Sequence, residues 1–282
     1  MPELPEVEIA RRHLSRWARG ATILRAAAPD ARGILDNSPA AFASALAGHV
    51  VKRVERKGKW LRVVLERGRD RVLLFSHLGM TGKWVKRDAD APADRWERVR
   101  IDLQKGTKKT SVRYTDPRRF GRLAVAREDI PSWAGLGPDP LVEGIDVARL
   151  VEKLGRRKLT VKEVLMDQSV LAGVGNIQAT EALWRAKIDP RTRADALSAS
   201  DVKTIAKGID WTIARTLADG EKHGDEIGYV SDADGENPFL AYGRKGETCP
   251  RCKDTFVRYD LGGRTTTSCP GCQVKRGASG RR

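Results

Sequence analysis

Four cysteines, arranged Cys249-x2-Cys252-x16-Cys269-x2-Cys272, constrain this chain more tightly than any other feature of its 282 residues. Each Cys-x-x-Cys knuckle can turn two thiolates toward one ion, and the stretch between the knuckles is long enough to return as a hairpin. Thr255 to Tyr259 and Arg264 to Ser268 read as its strands, with Asp260-Leu261-Gly262-Gly263 turning between them. Four cysteines in a chain of this length do not make a disulfide scaffold. Redox-active pairs are the rival, but nothing around them resembles the βαβ setting of a thioredoxin-like motif. A closed shell of Cys249, Cys252, Cys269 and Cys272 implies one structural zinc ion per chain, with no position left for water or substrate.

Upstream of the cysteines the hydrophobic period changes once. Thr22 to Ala28, His49 to Arg56, Trp60 to Glu66, Arg71 to His77, Val99 to Leu103 and Ser111 to Thr115 are short and β-branched, separated by polar or glycine-bearing turns. That is the pattern of an antiparallel β-sandwich. A helix precedes it, with Val7, Ala10, Leu14 and Trp17 at helical spacing, and Ala40 to Ala47 reads as a short helix within it. From about Pro138 helices take over: Val147 to Leu154, Val161 to Met166, Ile177 to Arg185 and Ala199 to Leu217. The fold class is therefore α+β and multidomain. The expected division is a sandwich domain over residues 1–131, a helical domain over 132–238, a zinc ribbon over 239–274 and a basic tail over 275–282. Glycine- and acid-rich Asp219 to Pro238 reads as a mobile loop, and the tail after Cys272 as disordered.

Charge narrows the partner. Lys and Arg number 53 against 37 Asp and Glu, a formal charge of +16. Such an excess favours a polyanion, nucleic acid above all, through phosphate neutralisation and counterion release. No apolar run is long enough to span a bilayer, and the acidic, proline-bearing start is not a signal peptide. A cytoplasmic protein is expected.

The opening Met1-Pro2-Glu3-Leu4-Pro5-Glu6 makes chemical sense as an active site at a chain terminus. Removal of the initiator methionine would leave Pro2 as a secondary amine. An α-amino group has a pKa of roughly 7.7–8, so about a tenth or more is neutral at pH 7, the form that attacks an electrophilic carbon. A helix N-terminus beside it depresses that pKa further. Glu3 supplies an adjacent carboxyl and Glu6 a second; capping of a helix by the same prolines and glutamates is the competing reading.

Residues 2 to 8 resemble the start of the formamidopyrimidine-DNA glycosylase family, and the resemblance continues along almost the whole chain. It runs through Gly58-Lys59-Trp60, His77-Leu78-Gly79-Met80-Thr81-Gly82, Tyr114-Thr115-Asp116-Pro117-Arg118-Arg119-Phe120-Gly121, Leu136 to Leu141, Leu165 to Gln168, Ala172 to Ile177 and Tyr242 to Glu247, in the family's order. Membership implies a bifunctional glycosylase and abasic-site lyase acting on damaged double-stranded DNA, monomeric, with a helix–two-turn–helix module and a zinc ribbon. It implies Pro2 as nucleophile, Glu3 as acid and base, Lys59 as a phosphate-contacting proton donor, and Arg264 gripping phosphate from the ribbon. Lys57 would share a face with Lys59 if the segment were a strand. Met80, Arg118 and Phe120 match the trio that fills the void left by an extruded base. Arg157 and Asn176 match phosphate-holding positions, with Lys162 as a helper. Glu6 is a base-contact candidate, and Trp96 stands where the family usually has a DNA-contacting histidine.

Two departures bear on the substrate. Gln178 replaces a common aromatic, and the Gly-Gly-Thr-Thr run that precedes the family's base-capping loop is absent around Glu221 to Ile227. Intact lyase residues with an altered base-reading loop predict formamidopyrimidines or further-oxidised guanines over 8-oxoguanine. An endonuclease VIII-like enzyme for oxidised pyrimidines is the alternative within the same chemistry; Leu4 and the Tyr114 to Gly121 block argue against it. A non-catalytic zinc-ribbon damage binder is the alternative of another class, and it would need none of Pro2, Glu3 and Lys59.

Overall fold

A computed structural model describes residues 2–221, apart from the side chain of Glu221, and residues 237–277. Nearly all of the loop expected at 219–238, and the last five residues of the basic tail, lie outside the described residues. The chain separates into two compact units, one running to Gly135 and one beginning at Leu136 and including the cysteine-bearing hairpin.

In the first unit, α1 (Leu4–Ala18) is followed by β1 (Thr22–Ala27), α2 (Pro39–Leu46), β2 (Val50–Lys57), β3 (Trp60–Arg67), β4 (Asp70–His77), β5 (Lys83–Asp88), β6 (Glu97–Lys105), β7 (Lys108–Thr115), β8 (Arg122–Ala126) and the single turn α3 (Pro131–Ala134). The strands form one sheet in the order β5-β7-β6-β1-β2-β3-β4-β8, every neighbour antiparallel. Register shifts in β1, β2 and β6 bend it, as bulges do. Although β5 and β4 stand near opposite ends of that order, the Trp84 indole N–H donates to Ser76 Oγ at 3.0 Å across the interior. The sheet thus folds over on itself as a sandwich. Leu14 and Ala18 of α1 close the same core with Ile23, Val51, Leu65, Leu74, Ile101 and Val112. Each large aliphatic side chain so buried contributes about 1.5–3 kcal/mol.

Strands β5 and β8 are not apparent from hydrophobic alternation. Both are sheet edges: β5 reads Lys-Trp-Val-Lys-Arg-Asp, and β8 is alanine-rich. Charged edge strands resist pairing with other chains, and the same charges mask their period.

In the second unit, the single turn α4 (Pro140–Glu143) leads into α5 (Val147–Gly155), α6 (Val161–Met166), α7 (Asn176–Ala186), α8 (Ala199–Glu221), β9 (Val257–Leu261) and β10 (Arg264–Ser268). Side-chain caps start several helices: Asp146 accepts the Arg149 N–H, and Thr160 exchanges hydrogen bonds with Glu163 in a capping box. The hairpin does not stand apart from the helices. Trp184 of α7 shares one cluster with Ala241, Cys249, Phe256 and Cys269. Buried Glu181, one helical turn earlier, accepts the backbone N–H groups of Leu240, Ala241 and Tyr242 at 2.8–3.0 Å and anchors the chain as it enters the ribbon. The start of the tail is also held. Val274 pairs with Lys187 and Ile188, and Arg276 binds Asp201 at 2.9 Å, so the expectation of disorder immediately after Cys272 is corrected for residues 273–276.

Candidate active site and metal centre

The first unit gathers one group of candidate residues around the start of α1 and one end of the sheet. Pro2, Glu3 and Glu6 are all buried. Pro5 occupies the first turn of α1, and the Glu3 backbone N–H donates to Glu6 Oε2 at 2.9 Å. Burial, then the neighbouring Glu3 carboxyl, pushes the Glu6 pKa up to about 7. The capping read from these residues is present as a Glu3–Glu6 capping box, and it holds a carboxyl whose proton exchanges near neutral pH.

The sign of the resulting pH dependence is fixed. A carboxyl with a folded-state pKa above its unfolded value of 4.5 favours the fold while protonated, and that contribution is lost as pH rises through about 7. A rise of this size corresponds to on the order of 3 kcal/mol. Glu6→Gln, which keeps the acceptor for the Glu3 N–H, is expected to stabilise the protein by that order at pH 8 and by nothing at pH 4. Thermal unfolding of both proteins at the two pH values checks it, and an equal gain at both would show that Glu6 is not titrating there.

Glu8, two residues further along α1, joins it to the sheet. Its carboxylate accepts from Arg11, Arg12 and buried Arg56, and Arg56 Nη1 donates to the Gly58 carbonyl at 3.1 Å. Lys57 pairs with Trp60, leaving Gly58-Lys59 as a two-residue turn. Lys57 and Lys59 consequently do not share a strand face: Lys59 stands at the hairpin tip, on a turn that Arg56 ties to α1. Glu8 and Arg56 were not legible as site residues, since a glutamate and an arginine 48 positions apart carry no local signal.

His77 is a further site residue that no sequence signal singled out. It pairs with Trp60 at the end of β4, with ring centroids 5.0 Å apart. Burial, and then the charges of Lys59 and Arg122, depress its pKa to about 4, so it is neutral at physiological pH. Nδ1 accepts the Gly79 N–H at 3.1 Å, which leaves Nε2 as the protonated nitrogen. The block around Met80 already contained it.

Met80 and the pair Arg118 and Phe120 lie on two different loops, and Asp116 binds those loops together. This fully buried carboxylate accepts Thr81 Oγ1–H at 2.6 Å, the Arg118 N–H at 3.1 Å and the Gly121 N–H at 2.8 Å. Gly79 has φ +64°, and a Cβ there would collide with the Phe120 carbonyl, so the loops touch where only glycine fits. Above this clamp Phe120 is 54% exposed, with the Arg118 guanidinium 4.8 Å from its ring centre. Met80 is half-buried. An exposed aromatic carrying a stacked arginine is poor core and a good wedge for a base stack. Trp96 is 41% exposed between Arg95 and Arg98, and its carbonyl accepts the Asp116 N–H, which sets it at the same end of the sheet.

The second unit holds the other group. Gln168 spans the glycine turn before α7, donating to the Met166 and Val174 carbonyls and accepting the Gly173 N–H, each at 2.8 Å. Asn176 begins α7 and donates from Nδ2 to the Thr265 carbonyl of β10 at 3.0 Å. Half-exposed Arg157, just beyond α5, pairs with Asp167 at 3.3 Å. Gly262 and Gly263 alone form the ribbon turn, because Leu261 already pairs with Arg264. Gly262 has φ +56° and lies against Glu163, where a Cβ would be 2.8 Å from its side chain. Arg264 is exposed as the first residue of β10.

Two expectations need correction. Lys162 is fully buried, and its Nζ donates to Thr266 Oγ1 at 2.7 Å, so it braces the strand that carries Arg264 and presents no ammonium to a phosphate. Gln178 is also buried. It accepts from Thr212 Oγ1 at 2.5 Å and donates to Thr216, both on α8, so it fastens two helices and does not read a base.

The four cysteine sulfurs converge, all within 4.8 Å of one another, with Cys249 to Cys272 at 3.9 Å and Cys252 to Cys269 at 3.2 Å. Tetrahedral thiolates 2.3 Å from a zinc ion would be about 3.8 Å apart, so the donor set fits a metal of that size. Arg251 stacks 4.1 Å from the Trp184 ring centre and directs a guanidinium N–H at Cys272 Sγ, giving the cluster a cationic neighbour.

Residues 1–123 match the formamidopyrimidine-DNA glycosylase N-terminal domain, and residues 136–226 match the H2TH domain of the same glycosylases. The chain belongs to the formamidopyrimidine-DNA glycosylase family. A formamidopyrimidine-DNA glycosylase of Desulfitobacterium hafniense is 36% identical over 97% of this chain and all of its own length, and one from a Nocardioides species is 37% identical over all of this chain and 98% of its own. Among solved structures, the Lactococcus lactis glycosylase bound to abasic-site DNA, and the same enzyme with DNA containing FAPY-dG, each superpose with TM-score 0.83 at 30% identity. Both cover 97% of this chain and all of the other.

Proposed function

We propose that this chain binds damaged duplex DNA, extrudes the lesion nucleotide and excises its base through a covalent intermediate on Pro2. As a family member it is a base-excision repair glycosylase acting on oxidised purines. The observation that carries the mechanism is the buried carboxyl pair at the N-terminus of α1, next to the proline that methionine removal turns into an amine. The neutral Pro2 nitrogen attacks the anomeric carbon, the glycosidic bond breaks, and the base leaves with a proton. The amine loses its proton, Glu3 protonates the ring oxygen, and the ring C–O bond breaks to give an open-chain iminium, which acidifies the neighbouring sugar carbon. β-elimination then breaks the 3′ phosphate bond, and δ-elimination breaks the 5′ one. Glu6 serves as the reservoir from which the buried site regains a proton near pH 7.

Met80, Arg118 and Phe120 fill the vacated stack, with Arg118 bonding the orphaned base. Lys59, with His77 beside it, and Arg157, Asn176 and Arg264 neutralise lesion-flanking phosphates, and Trp96 lies along the backbone. Cys249, Cys252, Cys269 and Cys272 hold zinc, which supplies a rigid fold to the hairpin and no chemistry. In this reading the protein acts as a monomer. Among the described residues no helix is long and apolar enough to cross a membrane.

Substrate preference is tested with duplexes carrying one defined lesion each, under single turnover. Formamidopyrimidine and hydantoin lesions opposite cytosine are expected to be released about ten- to a hundredfold faster than 8-oxoguanine, the worth of one lost base-edge hydrogen bond. Since Gln178 faces α8, this preference rests on the altered segment after Glu221 alone. Fastest release of 8-oxoguanine would refute it. Fastest release of oxidised pyrimidines would favour the endonuclease VIII-like alternative, and tight binding without base release would favour a damage binder.

A further inference from the structure

The end of α1 remote from Pro2 carries a feature that excision chemistry does not use. An open groove of about 620 Å³ is lined by Arg11, Arg12, Ser15, Arg16, Arg19, Gly20 and Lys105. Five of these seven residues are cationic, and none is apolar. Arg12, Arg16, Arg19 and Lys105 are exposed. Glu8, at the edge nearest the active site, engages Arg11 and Arg12. Lys105 reaches from β6 to donate to the Arg19 carbonyl at 3.0 Å. That contact caps the helix C-terminus, whose bare carbonyls would otherwise repel an anion, and adds a charge from a second element. Along a helix rising about 1.5 Å per residue, Arg11 to Arg19 lie roughly 13–25 Å from Pro2.

We propose that this groove is a second nucleic-acid site, which takes the phosphate backbone of a DNA segment other than the one engaged at Pro2. Arginine is suited to this role because its planar fork pairs with two phosphate oxygens, and four of the five cations are arginines. A docked acidic peptide would ordinarily seat apolar or aromatic anchors as well as charges, and the lining supplies none. Phosphate contacts without base readout give binding that ignores sequence and weakens with salt. Two such surfaces on one protein let it hold a new duplex before releasing the old one. A search enzyme would thereby pass between DNA segments.

The experiment uses the full-length, metal-loaded protein cross-linked by borohydride to a short abasic duplex, so that the catalytic end is occupied. A fluorescent undamaged duplex is then titrated across a salt series. The cross-linked protein is expected to bind it, and Arg16→Gln combined with Arg19→Gln is expected to weaken that binding at least tenfold. The slope of log affinity against log salt should fall by about 1.8, because two fewer phosphates are neutralised. Arg16→Lys with Arg19→Lys should retain most of the slope, and excision from a short lesion duplex should stay unchanged in both variants. Failure to cross-link refutes the Pro2 mechanism. Cross-linking without second-duplex binding, or with binding that the glutamine variant leaves intact, overturns the second site. Binding of a glutamate-rich peptide in preference to duplex overturns it in favour of an acidic protein partner.

Discussion

One extra residue ahead of Pro2 is expected to abolish borohydride trapping on lesion-bearing DNA and to cut base excision by roughly 10³-fold or more. The addition converts a secondary amine into a tertiary amide, whose lone pair is delocalised into the carbonyl and no longer attacks carbon. It would also push new atoms against Glu3 and Glu6, which are already buried. In the mature protein, mass analysis should place the reduced adduct on the N-terminal peptide. Pro2→Gly keeps an amine and should keep weak trapping; Glu3→Gln should keep abasic-site affinity while excision collapses, since an amide cannot carry the proton. An adduct on Lys59, a rival amine on a turn fastened to α1 through Arg56, would sink the assignment.

Cys249→Ser is the second large effect. A structural zinc ion contributes on the order of 10 kcal/mol to small metal-bound domains, and removing one thiolate forfeits most of it. The consequences should spread in a definite direction. Cys249 lies in one cluster with Phe256, Cys269 and Trp184, so loss of the metal loosens β9 and β10 against α7. Arg264 then loses the strand that Lys162 and Asn176 hold in place. Zinc should fall from about one per chain to near none, DNA affinity should drop roughly tenfold or more, and the first unit should retain its own unfolding transition. Freshly purified, reduced wild-type protein that is active without stoichiometric zinc would contradict the metal assignment.

What was legible in advance follows from the range of the interactions involved. The cysteine spacing and the period of the buried strands are local, and each can be read within one short stretch of chain. The edge strands β5 and β8 were not, since their defining property is a neighbour on one side only. Among site residues, motif order singled out Pro2, Glu3, Lys59, Met80, Arg118, Phe120 and Arg264. It could not separate a side chain that faces DNA from one that holds such a side chain in place. Lys162 and Gln178 lie beside family blocks yet point inward, to Thr266 and to Thr212, partners 104 and 34 residues away.

By itself, then, the sequence determined the kinds of chemistry available: a proline beside carboxyls, four cysteines at metal spacing and an excess of positive charge. Tertiary structure alone decided which groups are buried and what each one faces. Glu6 holds its proton to about 7 because the fold excludes water and sets Glu3 beside it. Asp116 joins the two wedge loops because β4 and β7 deliver them to the same place. The arginines of α1 form a groove only once Lys105 arrives from β6. Desolvation and long-range contact depend on the folded chain as a whole, and no local run of residues encodes them.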